Sequence, residues 1–226
     1  MEPKGNFMIF IIEKFVSVQG EGLNVGTPAL FIRLAQCNLR CPWCDTKYSW
    51  RKGTPISIED LVNYVLDENL PLVVLTGGEP LIYSYEIAEF LRRLRERGYE
   101  GKVQIETNGT IEPRPLRGFD NYVLSISPKV TCVYKVYFVN LIKRIINNYN
   151  VLEIKIVVSN DDIKCLRQFI DELGDVEVPL IVQPLHRPNS NYAMDSKAIV
   201  EEILSDPSLR RKVRVIPQLH KLIGIK

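Results

Sequence analysis

Apolar and polar positions follow two periods along this chain, one typical of strands and one typical of helices. Seven short runs are almost continuously apolar and rich in β-branched residues, a pattern that indicates strands covered on both faces of a parallel sheet. These predicted strands are Leu30–Ala35, Leu72–Leu75, Val103–Ile105, Tyr122–Ile126, Glu153–Val158, Leu180–Val182 and Val213–Ile216.

Segments with helical periodicity and recognisable ends lie between the predicted strands. Ser57 precedes Glu59 and Asp60 as a capping-box-like start, and Gly98 stands where a helix commonly ends. The predicted helices are Leu61–Asp67, Ser84–Arg97, one that begins at Asp161 and ends near Gly174, one that begins at Asp195 or Ser196 and runs through Leu204, and Phe138–Tyr149. Strands alternating with helices predict βαβ units joined right-handed, in a doubly wound sheet or a barrel.

Polar residues follow the ends of six predicted strands, and this recurrence favours a barrel with one functional rim. In parallel α/β proteins, ligands gather at the carboxyl edge of the strands. One or two such clusters are ordinary turn chemistry, but six in succession are better explained by a shared cavity. The clusters are Cys37, Gly77 to Pro80, Glu106 to Gly109, Ser127 to Lys129, Gln183 with Pro184, and Gln218 to His220.

Length and charge narrow the class of protein. A chain of 226 residues without repeats or linkers predicts one domain over residues 1–226. The formal net charge of +2 is too small for a generic polyanion binder, so no nucleic-acid partner is expected. The apolar stretch Met8–Ile12 is stopped by Glu13 and is too short for a signal peptide, and no segment approaches a membrane-spanning length. A cytoplasmic protein without a membrane partner is therefore predicted.

The five cysteines indicate a metal or cluster site in a reducing compartment. Cys37, Cys41 and Cys44 place three thiols in one loop, which suits a cubane with three protein-bound irons and one open iron. Zinc is the alternative, but it would want a further cysteine pair or histidines at finger spacing, and the two histidines lie far downstream. Cys132 and Cys165 are predicted to be separate buried thiols.

The cysteine loop resembles the signature of the radical S-adenosylmethionine (SAM) superfamily. It has that family's C-x3-C-x2-C spacing, with an aromatic residue, Trp43, before the last cysteine. Gly77-Gly78-Glu79-Pro80 resembles the second motif, in which Gly78 and Glu79 bind the amino group of SAM. The resemblance implies a single-domain partial parallel β/α barrel holding a [4Fe-4S] cluster. It also implies that the reduced cluster cleaves SAM and that the resulting 5′-deoxyadenosyl radical abstracts a substrate hydrogen.

The flanking sequence is similar to the 7-carboxy-7-deazaguanine synthase family. The similarity runs from Glu13 through Gly22, through Gly26-Thr27-Pro28 and Asp45-Thr46, to Gln218-Leu219-His220-Lys221. It implies a lyase that converts 6-carboxy-5,6,7,8-tetrahydropterin into 7-carboxy-7-deazaguanine, expels ammonia and uses Mg²⁺. The product would feed queuosine or archaeosine. A homodimer and a flavodoxin or ferredoxin reductant are further expectations from this resemblance.

The same resemblance assigns roles to individual residues. Substrate contacts are expected from Val18, Gln19, Gly20, Glu21, Arg33, Thr76, His220 and Lys226. SAM contacts are expected from Trp43, Cys44, Asp45, Gly78, Glu79, Ser127, Pro128, Lys129, Gln183 and Pro184, and a Mg²⁺ contact from Thr46.

Side-chain chemistry supports several of these roles. Gln19 and Glu21 can accept N–H groups from a pterin, Arg33 suits a carboxylate, and a hydroxyl suits Mg²⁺. The ordinary readings are a solvated loop acid for Glu21, a surface ion pair for Arg33 and a turn residue for Thr46. His220 either orients the substrate or caps the last strand's end. Gln36 stands where the family more often has glycine.

Two other functions remain open on sequence alone. A radical SAM activase of a glycyl-radical enzyme would share the cluster and the small size. It gives no reason, however, for the set formed by Gln19, Glu21, Arg33 and Thr46. The second alternative is a non-catalytic zinc-binding interaction module. Colour and iron content would separate that module from either radical SAM enzyme.

Overall fold

The fold is built on one large sheet and a separate hairpin. A computed structural model describes residues 7–225. Nine strands form the sheet in the order β11-β10-β9-β6-β5-β4-β2-β1-β3, and β7 pairs with β8. The strands are β1 Met8–Val18, β2 Pro28–Leu34, β3 Thr54–Ser57, β4 Leu72–Gly77, β5 Lys102–Thr107, β6 Tyr122–Ile126, β7 Lys129–Thr131, β8 Tyr134–Val136, β9 Val151–Val158, β10 Leu180–Pro184 and β11 Val213–Val215.

The parallel part of the sheet winds in one direction. From β2 to β11 each strand pairs in parallel with the next one of the sheet, so the spatial order follows the chain order. A doubly wound sheet would reverse direction at a switch point, and this sheet does not. The fold is therefore the partial β/α barrel that the sequence favoured, and all seven predicted strands are present.

Four strands were not predicted. β1 was read only as the short apolar stretch Met8–Ile12, yet it continues to Val18 and pairs antiparallel with both β2 and β3. The polar residues Glu13, Lys14 and Ser17 interrupt its apolar pattern, and the apolar Val16 is 51% exposed. The hairpin strands β7 and β8 have only three residues each, too few to show a period.

Five of the six helices that the structure describes bury apolar residues in the core, whereas the last and shortest helix buries none. The helices are α1 Ile58–Glu68, α2 Ser84–Glu96, α3 Val139–Asn148, α4 Ile163–Leu173, α5 Tyr192–Ser205 and α6 Leu219–Ile223. The Ser57 cap is confirmed, since its hydroxyl accepts from the Asp60 amide at 3.0 Å. The predicted start of α5 was wrong by a few residues, because Asn191 caps the helix earlier by accepting from the Met194 amide. Within residues 7–225, no helix combines the length and apolarity needed to cross a bilayer.

Cys132 and Cys165 form a disulfide, which corrects the prediction of two separate thiols. The bond joins the turn between β7 and β8 to α4, with the two Cα atoms 5.5 Å apart. Two hydrogen bonds accompany it: the Cys132 amide donates to Asp162 at 2.8 Å, and Lys135 donates to Gln168 at 2.7 Å. The folding of the hairpin onto α4 brings the pair together, and sequence spacing gave no sign of it.

Candidate active site

A cavity of about 290 Å³ opens at the carboxyl ends of the parallel strands. Residues from all six polar clusters line this central cavity, as the sequence predicted. The lining includes Val18, Gln19, Gly20, Glu21, Arg33, Cys37, Cys41, Trp43, Cys44, Asp45, Thr46, Thr76, Gly78, Ser127, Lys129, Gln183 and His220. Three other candidates, Glu79, Pro128 and Pro184, do not line it, and Lys226 lies outside the described residues.

Three free cysteines stand on the loop that follows β2, residues 35–50, which we call the cluster segment. Burial raises the pKa of both Cys37 and Cys41, so iron binding would have to displace their protons. Among residues 7–225, no three His, Cys, Asp or Glu side chains converge on a single point as a mononuclear metal would require. A cubane makes no such demand, because each thiolate binds a different iron.

Gly78 packs its backbone directly on the cluster segment. Its amide donates to the Leu34 carbonyl at 3.1 Å, and the next amide, of Glu79, donates to the Gln36 carbonyl at 2.9 Å. A Cβ at Gly78 would overlap the Gln36 carbonyl group. Glycine is therefore required here so that the second motif can approach the cysteine loop.

Gln36 adopts a positive φ of 67°, in the left-handed region. This conformation is favourable for glycine and costs a residue with a Cβ about 1 kcal/mol or more. The glycine that the resembled family more often has at this position is thereby explained: the backbone before the first cysteine turns left-handed.

Glu79 is fully buried behind the cavity wall. Its carboxylate accepts from the Leu81 amide at 2.9 Å, the Thr107 hydroxyl at 2.8 Å and the Asn108 amide at 2.7 Å. Burial raises its pKa although these donors oppose the effect. The carboxylate thus ties the end of β4 to the end of β5, and its predicted contact with SAM stays a prediction.

Lys155, on β9, is 97% buried in the cavity floor and pairs with two carboxylates. Its ammonium donates to Glu106 at 2.8 Å and also to Glu21. Burial alone would lower the pKa of Lys155, but Glu106, Glu21 and Glu153 reverse this and raise it. Lys155 is therefore a permanent cation facing an excess of acceptor groups.

Glu21 joins this floor to the end of the chain. Burial favours its neutral form, but Lys155 and the Gln218 amide outweigh burial and lower the pKa of Glu21 to about 2. Gln218 donates to Glu21 at 2.6 Å, and the Leu219 amide donates to the Gly20 carbonyl at 2.8 Å. Residues near position 20 and near position 220 thus form one wall.

His220 lies against Gly20 on this wall. A Cβ at Gly20 would overlap the imidazole ring, so any other residue there would displace His220. Burial lowers the pKa of His220, and its ring is neutral at pH 7 because the ordinary value is already near 6.5. A neutral imidazole offers the cavity both a donor and an acceptor nitrogen.

Arg33 projects from β2 into the cavity and is already paired. Its Nε donates to Glu13 at 2.8 Å, and the Tyr48 hydroxyl donates to the same carboxylate oxygen at 3.0 Å. The Arg33 side chain is only 13% exposed. Glu13 therefore holds the guanidinium through one edge, with its remaining N–H groups available to a ligand.

The cavity lining also contains a buried acceptor without a protein donor. Gln183 is 1% exposed, and its Oε1 has no hydrogen-bond partner among the described residues. A ligand with N–H or O–H groups would satisfy it, since a buried orphan acceptor is costly. Nearby, Lys129 donates to Ser127 at 3.1 Å, presenting a cation to the cavity. The donor set therefore fits a ligand such as SAM, which carries amine, carboxylate and hydroxyl groups.

Sequence reasoning missed Lys155, and it placed Glu106 and Gln218 in polar clusters at the predicted cavity without giving either residue a role. A signal was present for Lys155: Glu153 and Lys155 are charged residues two positions apart in an otherwise apolar strand. Alternation places such residues on the same face of a strand. A buried strand with charges on one face faces a polar interior, which is what β9 does.

Comparisons with known proteins agree with this geometry. Residues 32–154, more than half of the chain, match the Radical SAM superfamily. The chain therefore belongs to the radical SAM superfamily of enzymes.

More specific relatives are 7-carboxy-7-deazaguanine synthases. That of Thermoplasma acidophilum is 34% identical over 95% of this chain and 97% of its own. That of Aquifex aeolicus is 34% identical over 99% and 97%. A match to that of Hyperthermus butylicus is 44% identical but spans only 50% of this chain and 47% of the relative. The crystal structure of QueE from Escherichia coli superposes with a TM-score of 0.70 at 28% identity, covering 94% of this chain and 95% of that one. Within the superfamily, the chain belongs to the 7-carboxy-7-deazaguanine synthase family.

Proposed function

We propose that this protein converts 6-carboxy-5,6,7,8-tetrahydropterin into 7-carboxy-7-deazaguanine with loss of ammonia. One observation carries the proposal: two groups of residues line the same cavity. The first is the set of three cysteines suited to a site-differentiated cluster, and the second is the cavity floor formed by Lys155, Glu21, Glu106 and Gln218. The cavity volume of about 290 Å³ lies at the small-molecule end of ligand pockets. A glycyl-radical activase would have to admit a protein segment instead.

The cysteine end of the cavity holds the cofactors in this proposal. Cys37, Cys41 and Cys44 bind three irons of a [4Fe-4S] cluster, and the cluster with SAM supplies one-electron chemistry that starts hydrogen abstraction. Lys129 would face the SAM carboxylate, and the Oε1 of Gln183 would accept a hydrogen bond from a donor group of SAM. Gly78 admits SAM close to the backbone, while Trp43 covers it from solvent.

The acidic floor recognises the pterin. The amino-pyrimidinone edge of the substrate presents several N–H donors, and Glu21 together with Glu106 offers the acceptors. Lys155 holds both carboxylates in place, and it keeps Glu21 ionised by lowering the pKa of that carboxyl. The neutral His220 stands beside Gly20, where a ring nitrogen can accept or return a proton as ammonia leaves.

The remaining polar groups of the substrate have their own partners. Arg33, held by Glu13, takes the substrate carboxylate through the guanidinium edge that Glu13 leaves open. The Thr46 hydroxyl lies 3.6 Å from the Cys44 sulfur and faces the same cavity, so it is the proposed Mg²⁺ contact. Mg²⁺ would complete its shell with waters and substrate oxygens.

The cellular context is also part of the proposal. One radical SAM domain spans residues 1–226, works in the cytoplasm as a homodimer and receives electrons from a flavodoxin or ferredoxin. The small net charge is consistent with a small-molecule substrate and gives no support for a nucleic-acid partner. Gel filtration coupled to light scattering measures the oligomeric state directly.

The test is an anaerobic assay of the reconstituted enzyme with SAM, Mg²⁺, a reductant and the carboxytetrahydropterin. Mass spectrometry should detect 7-carboxy-7-deazaguanine only when all components are present. A brown protein that cleaves SAM but makes no deazapurine would assign the chain to another radical SAM reaction. A colourless zinc protein would reject the cluster itself.

Arg33→Lys gives a sharper version of this test. Lysine keeps the charge but loses the planar fork, so the KM for the pterin should rise about tenfold to a hundredfold, equivalent to one or two charge-assisted hydrogen bonds. The kcat should change much less, because the lost contact is present before and during the reaction. Lys47→Arg, an exposed change on the cluster segment, serves as the control.

A further inference from the structure

The β7–β8 hairpin lies against the cluster segment through one side chain, Tyr134. The Arg40 amide donates to the Tyr134 hydroxyl at 3.3 Å. The Tyr134 ring packs edge-on against Trp43, with centroids 5.6 Å apart and planes at 87°. Arg40 and Trp43 flank Cys41, so Tyr134 contacts the loop on both sides of the middle cysteine.

The hairpin is itself fixed from the far side. The Cys132–Cys165 disulfide attaches the turn of the hairpin to α4. The hydrogen bond from the Cys132 amide to Asp162 attaches the same turn to the residue just before α4. Thr131 closes the hairpin by donating to the Tyr134 carbonyl at 3.2 Å. The position of Tyr134 is therefore set by α4 and the hairpin, independently of the loop that it contacts.

The Tyr134 hydroxyl can act on the cluster ligands as well. Because it accepts from the Arg40 amide, its own proton is free to point elsewhere. Arg40 directly precedes Cys41, so the hydroxyl that accepts from its amide lies beside the middle cysteine. Hydrogen bonds to cluster sulfurs stabilise the reduced form and raise its potential, and partners of metal ligands contribute to metal retention.

We propose that Tyr134 is a positioning residue for the iron–sulfur cluster. It holds the Arg40–Trp43 stretch in its cluster-binding shape, and its hydroxyl donates a hydrogen bond to the Cys41 sulfur. The inference depends on the cluster and not on the pterin substrate. A negative result for Tyr134 would therefore leave the proposed reaction intact, and a negative assay for the reaction would leave this inference intact.

Tyr134→Phe tests the role of the hydroxyl while keeping the ring against Trp43. The reconstituted enzyme should lose iron to a chelator about tenfold faster than the unmodified enzyme. Its cluster midpoint potential, measured by redox titration with electron paramagnetic resonance, should be lower. Tyr85→Phe removes a hydroxyl from an exposed tyrosine on α2 and should change neither value.

A third readout needs no cluster. The two tryptophans of the sequence, Trp43 and Trp50, both lie on the cluster segment, so the emission of the apo protein reports on this loop. Acrylamide should quench apo Tyr134→Phe more strongly than the unmodified apo protein, because the loop loses a tether. The proposal would be overturned if Tyr134→Phe showed the same rate of iron loss, the same midpoint potential and the same quenching as the unmodified protein. Circular dichroism establishes that the variant is folded.

Discussion

The ammonium of Lys155 donates to the carboxylate of Glu106 across 2.8 Å beneath the central cavity, and Glu21 is its second partner. Replacing Lys155 with methionine keeps the aliphatic volume but leaves two carboxylates in a buried site without their cation. Removing one partner of a buried ion pair costs about 3–5 kcal/mol. Chemical denaturation should show a loss of that size in the free energy of unfolding.

The double variant Lys155→Met with Glu106→Gln supplies the control. Removing one of the stranded charges should recover part of the lost stability, so the two substitutions should not be additive. Full additivity would mean that the two side chains do not interact in solution.

The acid sensitivity of the protein should depend on Glu21. Its pKa in the folded protein is about 2, below the ordinary value of 4.5, so the fold favours the ionised form. The contribution of ionised Glu21 to the free energy of unfolding is fully present above about pH 4.5 and is lost as the pH falls toward 2. Urea midpoints measured from pH 6 downward should fall less steeply in Glu21→Gln. The control Glu100→Gln, at an exposed position, should show the same dependence of the urea midpoint on pH as the unmodified protein. The same dependence in all three proteins would contradict the role assigned to Glu21.

Gln36→Gly should stabilise the protein. The residue has a φ of 67°, which glycine adopts at no steric cost, and the expected gain is about 1 kcal/mol. Thermal unfolding should show a higher Tm. Asn69→Gly is the matched comparison, because Asn69 also has a positive φ, 46°, but asparagine tolerates that region. A gain at Asn69 as large as that at Gln36 would argue against specific strain before the first cysteine.

The Cys132–Cys165 bond should contribute about 4 kcal/mol to stability, the amount expected for a loop closed over a separation of 33 residues. The double variant Cys132→Ala with Cys165→Ala should lose this amount in chemical denaturation. Dithiothreitol should destabilise the unmodified protein similarly and leave the double variant unaffected. A reductant effect on the double variant would locate the sensitivity elsewhere.

The sequence predicted the barrel because its parallel strands are continuously apolar and its helices have clear caps. It could not predict β1 in full, since the polar residues Glu13, Lys14 and Ser17 break the apolar run. The cysteine loop and the six polar clusters were recognisable because local spacing carries them. Lys155, the contact between Gln218 and Glu21, and the disulfide depend on which distant segments become neighbours, and tertiary structure alone decides that.

Glu79 shows the same limit at a single residue. The sequence motif predicts a carboxylate for SAM, whereas the structure assigns all its visible hydrogen bonds to Leu81, Thr107 and Asn108. Spacing identified the correct loop but not the direction of the side chain, which is set by donors on a different strand.

The hydrogen bond between the Leu219 amide and the Gly20 carbonyl has a consequence for the order in which the enzyme folds and acquires its cluster. The cysteines leave the ribosome before the segment around Leu219, which closes the opposite wall, is synthesised. Until then the thiols stand at the mouth of an unfinished barrel. Iron and sulfide delivered at that stage would meet water and oxygen, so productive loading belongs to the completed polypeptide.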